Sequence, residues 1–110
     1  MGQRVRIHRY GGYDQLKLES FVVRQPKERE VLIQVQAAGI NYADCVVRMG
    51  LYRSAREYVG LPITPGFEVC GHVISVGDRV QSFQLGDPVI AVTRFDGYSS
   101  HITIDEAYVF

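Results

Sequence analysis

The 110 residues carry twelve Lys or Arg against twelve Asp or Glu, so the net charge is zero, and 46% of the side chains are apolar. That length predicts one domain, and that composition excludes wholesale disorder. Neutrality leaves no general electrostatic case for nucleic acid, and no run of about 18 apolar residues is present to span a membrane. The N-terminal residues Met1 to Arg9 lack an apolar signal core. Cys45 and Cys70 share no close spacing and sit among apolar neighbours, so they read as reduced, buried side chains of a cytoplasmic protein.

Val5-Arg6-Ile7-His8 alternates as a half-buried strand does. Gly11-Gly12 marks a turn, and alternation resumes at Leu16 and runs to Val23 before Pro26 breaks it. Glu30 to Ala38 is the cleanest strand, with Val31, Ile33, Val35 and Ala37 on one face. Asn41 is a fair N-cap for a helix from Tyr42 to Met49, and Gly50 suits its end. Leu51 to Pro65 has no period and reads as a long loop. Phe67 to Val76 predicts a strand interrupted at Gly71, and Val89 to Val92 predicts another. Asp96-Gly97 signals a hairpin, with Tyr98 to Ile104 as its return strand. The sum is mainly β, with one or two short helices, and predicts a small β-barrel.

Chemistry is sparse at this level. His8, Cys45, Cys70, His72 and His101 show none of the paired spacings of zinc sites, although Cys70 and His72 would share a strand face. Neither glycine-rich phosphate loop occurs: Gly66 and Gly71 have the spacing of one, but His72 stands where it needs Lys. There is no G-x-S-x-G nucleophile elbow. Tyr42, Asp44, Tyr52 and Glu68 are candidate acid–base groups, but each taken alone reads first as a cap, an ion-pair partner or a core-edge phenol.

The run Ala37-Ala38-Gly39-Ile40-Asn41-Tyr42-Ala43-Asp44, continued by Arg48, Gly50 and Tyr52, changes this reading. Three further blocks come after it in order: Pro62 to Glu68 with Gly71 to Gly77, Phe83 to Val89, and Asp96 to Ser100. Together they resemble the N-terminal catalytic domain of the medium-chain dehydrogenase/reductase superfamily, and within it the quinone oxidoreductase and VAT-1-like branch. The resemblance implies a GroES-like fold. Where zinc-dependent members carry a Cys ligand, this chain has Asn41, and where they carry a His ligand it has Phe67. The resemblance therefore implies a zinc-free site, with no metal ligands.

The activity it implies is NADPH-linked hydride transfer to a quinone or an α,β-unsaturated carbonyl. Asn41 and Tyr52 are then the expected catalytic residues, donating hydrogen bonds to the developing enolate. Asn41, Tyr42, Asp44 and Arg48 are expected at the cofactor, with Asp44 fixing the helix start and Arg48 either reaching a phosphate or standing exposed on the helix. Tyr52, Leu61 and Phe67 are expected to line the substrate pocket. The resemblance also implies a Rossmann domain beyond this segment, so residues 1–110 are expected to be one domain of a longer, homodimeric protein, bound to small molecules only and inactive in isolation. A non-enzymatic binding or scaffold module of VAT-1-like type is the alternative.

Overall fold

The alternating run Glu30–Ala38 becomes the spine of the computed structural model, which describes residues 1–110. In chain order the elements are β1 (Gly2–Arg6), a 3-10 turn (Tyr13–Gln15), β2 (Lys17–Phe21), β3 (Glu30–Ala38), α1 (Tyr42–Arg48), α2 (Arg53–Tyr58), β4 (Glu68–Val76), β5 (Pro88–Val92), β6 (His101–Asp105) and a second 3-10 turn (Glu106–Tyr108). No helix is long and apolar enough to cross a membrane.

β1 and β2 pair antiparallel as a separate two-stranded sheet, and the larger sheet has the order β5-β4-β3-β6. All pairings in it are antiparallel. The inward positions of these strands build the main core: Val31 and Ile33 from β3, Val69 and Val73 from β4, Val89 and Ala91 from β5, Ile102 from β6, and Val109. A fully buried valine or isoleucine contributes about 1.5–3 kcal/mol of hydrophobic stabilisation. The fold is mainly β with two short helices, as the sequence predicts, and the two sheets do not close on each other into a barrel.

Where β3 departs from ideal alternation, its pairing shows the cause. The register with β4 shifts between Val35 and Ala37. A bulge adds one residue to one strand and reverses the facing of the residues beyond it. Val35 and Ala38 therefore pack against the core, while Ala37, expected inside, is exposed. Gly71 lies in the middle of β4 without interrupting it. A Cβ there would stand 2.0 Å from the Gln34 carbonyl oxygen, so β3 and β4 approach closely only because residue 71 has no side chain.

Three further expectations change. The segment Leu51–Pro65 is not all loop, because α2 lies within it. Ala55 is the one buried residue of that helix, so no apolar stripe announced it. Arg53 and Glu57 form an i,i+4 ion pair on its outer side at 2.8 Å, and the Gly60 N–H caps Ala55 O at 2.8 Å. Asp96-Gly97 does not join β5 to a hairpin partner. The N–H groups of Asp96, Gly97 and Tyr98 donate instead to the carbonyls of Thr64, Gly66 and Pro65, and the chain crosses to pair with β3, so that β6 starts only at His101. Cys70 is exposed rather than buried, since it occupies an outward position of β4.

A second, smaller core of Ile7, Val47, Ala55, Ile63 and Phe95 ties both helices to the end of the β1 region. Ile7 and Ile63 exchange backbone hydrogen bonds at 2.8 and 3.0 Å. This cluster supports the candidate site, because Tyr52 and Phe67 pack directly against it.

Candidate active site

Asn41 adopts an extended backbone (φ −126°, ψ 153°) and opens α1. Its N–H donates to Asp44 Oδ2 at 3.0 Å, which satisfies a donor that the first helical turn leaves free. The Tyr98 hydroxyl donates to the same oxygen at 2.5 Å. Asp44 is buried, with 5% of its surface exposed, and its Oδ1 has no partner. Burial, then the hydrogen bond to Asp44, pushes the Tyr98 phenol above its ordinary pKa, so it acts as a fixed donor. Asp44 thus caps the start of α1 at the Asn41 backbone. Its partner Tyr98 is absent from the sequence-derived site, because 54 residues separate the two and only the docking of the 96–98 turn brings them together.

Arg48 requires a correction. It is neither exposed nor free to reach a phosphate. Only 8% of it is accessible; its Nη1 donates to the Gly11 carbonyl at 2.5 Å and its guanidinium stacks on the Tyr13 ring at 4.7 Å. The Gly11 N–H donates back to Arg48 O at 3.0 Å. Arg48 therefore clamps the β1–β2 connection to the end of α1. Tyr42, at the first helical position, is 78% exposed and makes no such contact.

Tyr52 begins α2 and belongs to an aromatic trio. Its ring lies 5.8 Å from Phe67, tilted at 45°, and 6.0 Å from Phe95, edge-on at 89°. Phe67 and Phe95 are 5.3 Å apart. Offset and edge-on rings at these separations attract beyond their burial alone. Phe95 is the buried anchor, whereas Tyr52 and Phe67 are half-buried and line a cleft of about 550 Å³. Ser54 and Tyr58 of α2, Val92, Thr93 and Arg94 at the end of β5, and Tyr108 complete its walls.

The structure thus joins Tyr52 and Phe67 in one cleft. Leu61, 40% exposed, is not among the residues lining it, and neither are Asn41, Tyr42, Asp44 or Arg48. Asn41 is nonetheless close in chain terms: the Gly39 N–H, just ahead of it, donates to the carbonyl of Glu68, the residue after Phe67, at 3.0 Å. A second cleft, of about 440 Å³, opens between β1, β2 and β3 and contains none of the expected site residues. Cleft residues missed by sequence reasoning come from three sources. Ser54 and Tyr58 sit on the unannounced helix, the end of β5 reaches the cleft because the Thr93 N–H pairs with Phe67 O at 2.9 Å, and Tyr108 ends the second 3-10 turn.

No carboxylate, thiol or imidazole lines the aromatic cleft, and no three His, Cys, Asp or Glu side chains converge anywhere in the chain. What the cleft offers is flat apolar surface, phenolic and aliphatic hydroxyls, and one guanidinium. That combination suits stacking on a planar conjugated ligand and donating hydrogen bonds to its oxygens.

The domain is open and mainly β, with one pinned turn and one capped helix. Residues 27–108 match the family model of the alcohol dehydrogenase GroES-like domain, and the chain belongs to that family. It is 43% identical over 101 residues to a quinone oxidoreductase of Lama guanicoe, covering 87% of this chain and 30% of that protein. It is 37% identical over 103 residues to the synaptic vesicle membrane protein VAT-1 homolog of Rattus norvegicus, covering 92% of this chain and 25% of that one. Among solved structures, quinone oxidoreductase of Escherichia coli complexed with NADPH superposes with a TM-score of 0.89 at 31% identity, over 98% of this chain and 32% of that chain. The chain therefore spans a third or less of the relatives' length, corresponding to their N-terminal portion.

Proposed function

We propose that this chain forms the substrate-binding domain of a zinc-independent oxidoreductase that transfers hydride from NADPH to a quinone or an α,β-unsaturated carbonyl. The observation that carries the reading is the cleft lined by Tyr52 and Phe67, two members of the Tyr52–Phe67–Phe95 aromatic trio. Similarity to quinone oxidoreductases adds support.

Phe67 and Tyr52 stack on the flat acceptor and exclude water from one face. As negative charge develops on the acceptor oxygen, Tyr52 donates a hydrogen bond and then its proton, which solvent replaces. Asn41, held by Asp44 and Tyr98, supplies a neutral donor at the start of α1. Asn41 and Tyr42 would meet the nicotinamide end of NADPH, which supplies the hydride when bound; the half-buried Asn41 beside the exposed Tyr42 suits an uncharged planar group. The balance is two electrons as hydride plus one proton: a quinone takes the proton at oxygen and leaves as a hydroquinone, while an enone protonated at oxygen is an enol that tautomerises in solvent to the saturated carbonyl. The donor set favours catalysis without zinc, since an amide and phenols replace thiolate and imidazole.

The whole protein is proposed to be a cytoplasmic homodimer, and the 110 residues alone to lack turnover because the dinucleotide-binding fold is not among them. The test is NADPH oxidation by a polypeptide in which this domain precedes a dinucleotide-binding domain, with a quinone acceptor and excess chelator. Turnover that survives chelation supports the reading, and activity abolished by chelation and restored by zinc refutes its metal-free chemistry. The similarity to a VAT-1 homolog favours one second reading, a non-enzymatic binding module, which predicts quinone binding with no oxidation of NADPH.

A further inference from the structure

The aromatic cleft carries one ionic group. Of its eight lining residues only Arg94 is charged. The backbone around it is anchored on both sides. The Thr93 N–H donates to Phe67 O at 2.9 Å, the Thr93 hydroxyl donates to Phe95 O at 2.9 Å, and the Phe95 side chain is 2% exposed. The guanidinium itself has no partner. None of the ion pairs within 4.0 Å involves it, and it donates no hydrogen bond within the protein. Several other arginines are engaged: Arg24 with Glu30, Arg53 with Glu57, and Arg48 with Gly11 and Tyr13. Space also continues past Arg94. A further volume of about 410 Å³ is bordered by Val92, Thr93, Arg94, Ile104 and Tyr108.

An unpartnered guanidinium in a cleft lined by aromatic rings selects by charge as well as by shape. Its fork of N–H donors matches the two oxygens of a carboxylate, sulfonate or phosphate. The geometry points to a substrate class: a planar conjugated carbonyl compound bearing an anionic substituent, stacked on Tyr52 and Phe67 with that substituent on Arg94. This inference rests on the reading of the cleft as the acceptor site and narrows it from quinones and enones in general to anionic ones. Arg94 is then a specificity-determining residue and takes no part in the chemical step.

The test is a ¹H–¹⁵N NMR titration of the 110-residue chain with anthraquinone-2-carboxylate and with its neutral carboxamide. The pair shares shape and ring system, and neither undergoes thiol addition, so the exposed Cys70 stays unmodified. The carboxylate should bind about fivefold tighter at low salt, as expected for a partly exposed ion pair, and the advantage should shrink at high salt. Arg94→Gln should erase the difference by weakening the carboxylate more than the carboxamide, and Arg94→Lys should restore part of it. Arg94 is exposed, so neither variant threatens the core. Equal affinities, or a preference that survives Arg94→Gln, would overturn the inference while leaving the acceptor-site reading intact. Inorganic pyrophosphate that reproduced the same shifts at Ser54 and Tyr58 would overturn it differently, by making Arg94 a phosphate site. If neither anthraquinone shifts cleft resonances, the acceptor-site reading fails and the inference fails with it.

Discussion

Replacing Tyr98 by Phe tests how the start of α1 is held. The substitution keeps the ring and removes one oxygen. Asp44 Oδ2 then keeps a single donor, the Asn41 N–H at 3.0 Å, while Oδ1 has none. A hydrogen bond to a charged group contributes about 1.5–3 kcal/mol, and a buried carboxylate deprived of one sits toward the upper end. The expected loss is therefore about 2–3 kcal/mol, a large share of the roughly 5–15 kcal/mol typical of a domain, and a Tm lower by roughly 10 °C. Urea unfolding at neutral pH, monitored by far-UV circular dichroism, measures it. The wild-type protein should also lose stability as pH rises above 10.0, the ordinary phenol value. There the unfolded chain releases the Tyr98 proton that the folded chain retains. Tyr98→Phe lacks this contribution, so its alkaline loss should be smaller. A cost below about 0.5 kcal/mol, small for a buried charged hydrogen bond, would mean that water serves Asp44 and that the phenol does not hold the helix start.

Other contacts lead to further expected outcomes. The hydrogen bond from Arg24 holds the Glu30 carboxyl down at about 2, against burial that opposes it, so the stability it contributes is complete above 4.5 and lost as pH falls toward 2. Arg24 is 51% exposed, so screening limits Arg24→Gln to about 1 kcal/mol at neutral pH, and an acid titration of the urea midpoint should lose its step in that window. Gly71→Ala places a Cβ 2.0 Å from Gln34 O and should cost about 3 kcal/mol or more through separation of β3 and β4, read as a lower urea midpoint. In a polypeptide competent for turnover, Tyr52→Phe should keep the stack on Phe67 and Phe95 yet lower kcat about 10–100-fold with little change in KM, and a KM effect alone would remove Tyr52 from the proton-transfer step.

The larger architecture and the site come from different scales of interaction. The main core is built by the sheet alone, from inward residues of four strands and Val109. The smaller core joins elements that are not adjacent in sequence, so displacement of Phe95 would move Tyr52 and Phe67 together. Gly66 and Gly97 make that junction possible: a Cβ on Gly66 would lie 2.7 Å from the Gly97 Cα, so the two turns meet backbone to backbone.

Local chemistry was enough for part of this molecule. Alternation in Glu30–Ala38 marked one strand and the short apolar run Val89–Val92 after a turn marked another, because both signals are properties of neighbouring residues. Asn41 as an N-cap marked the start of α1, since a cap lies within one turn of the helix it opens. The motif around Asn41 also pointed to the family to which the chain belongs. Tertiary contacts decided the rest. α2 buries only Ala55, so its helicity has no apolar signature and depends on the second core. Ala37 faces outward because of a bulge created by pairing with β4. Asp96-Gly97 docks on Thr64–Gly66 instead of closing a hairpin, because partners far away in sequence satisfy its N–H groups. Arg48 and Tyr98 owe their roles to Gly11 and Asp44, partners 37 and 54 residues distant. Sequence patterns register what a residue's neighbours along the chain require; which buried group completes its hydrogen bonds is settled only when distant segments pack.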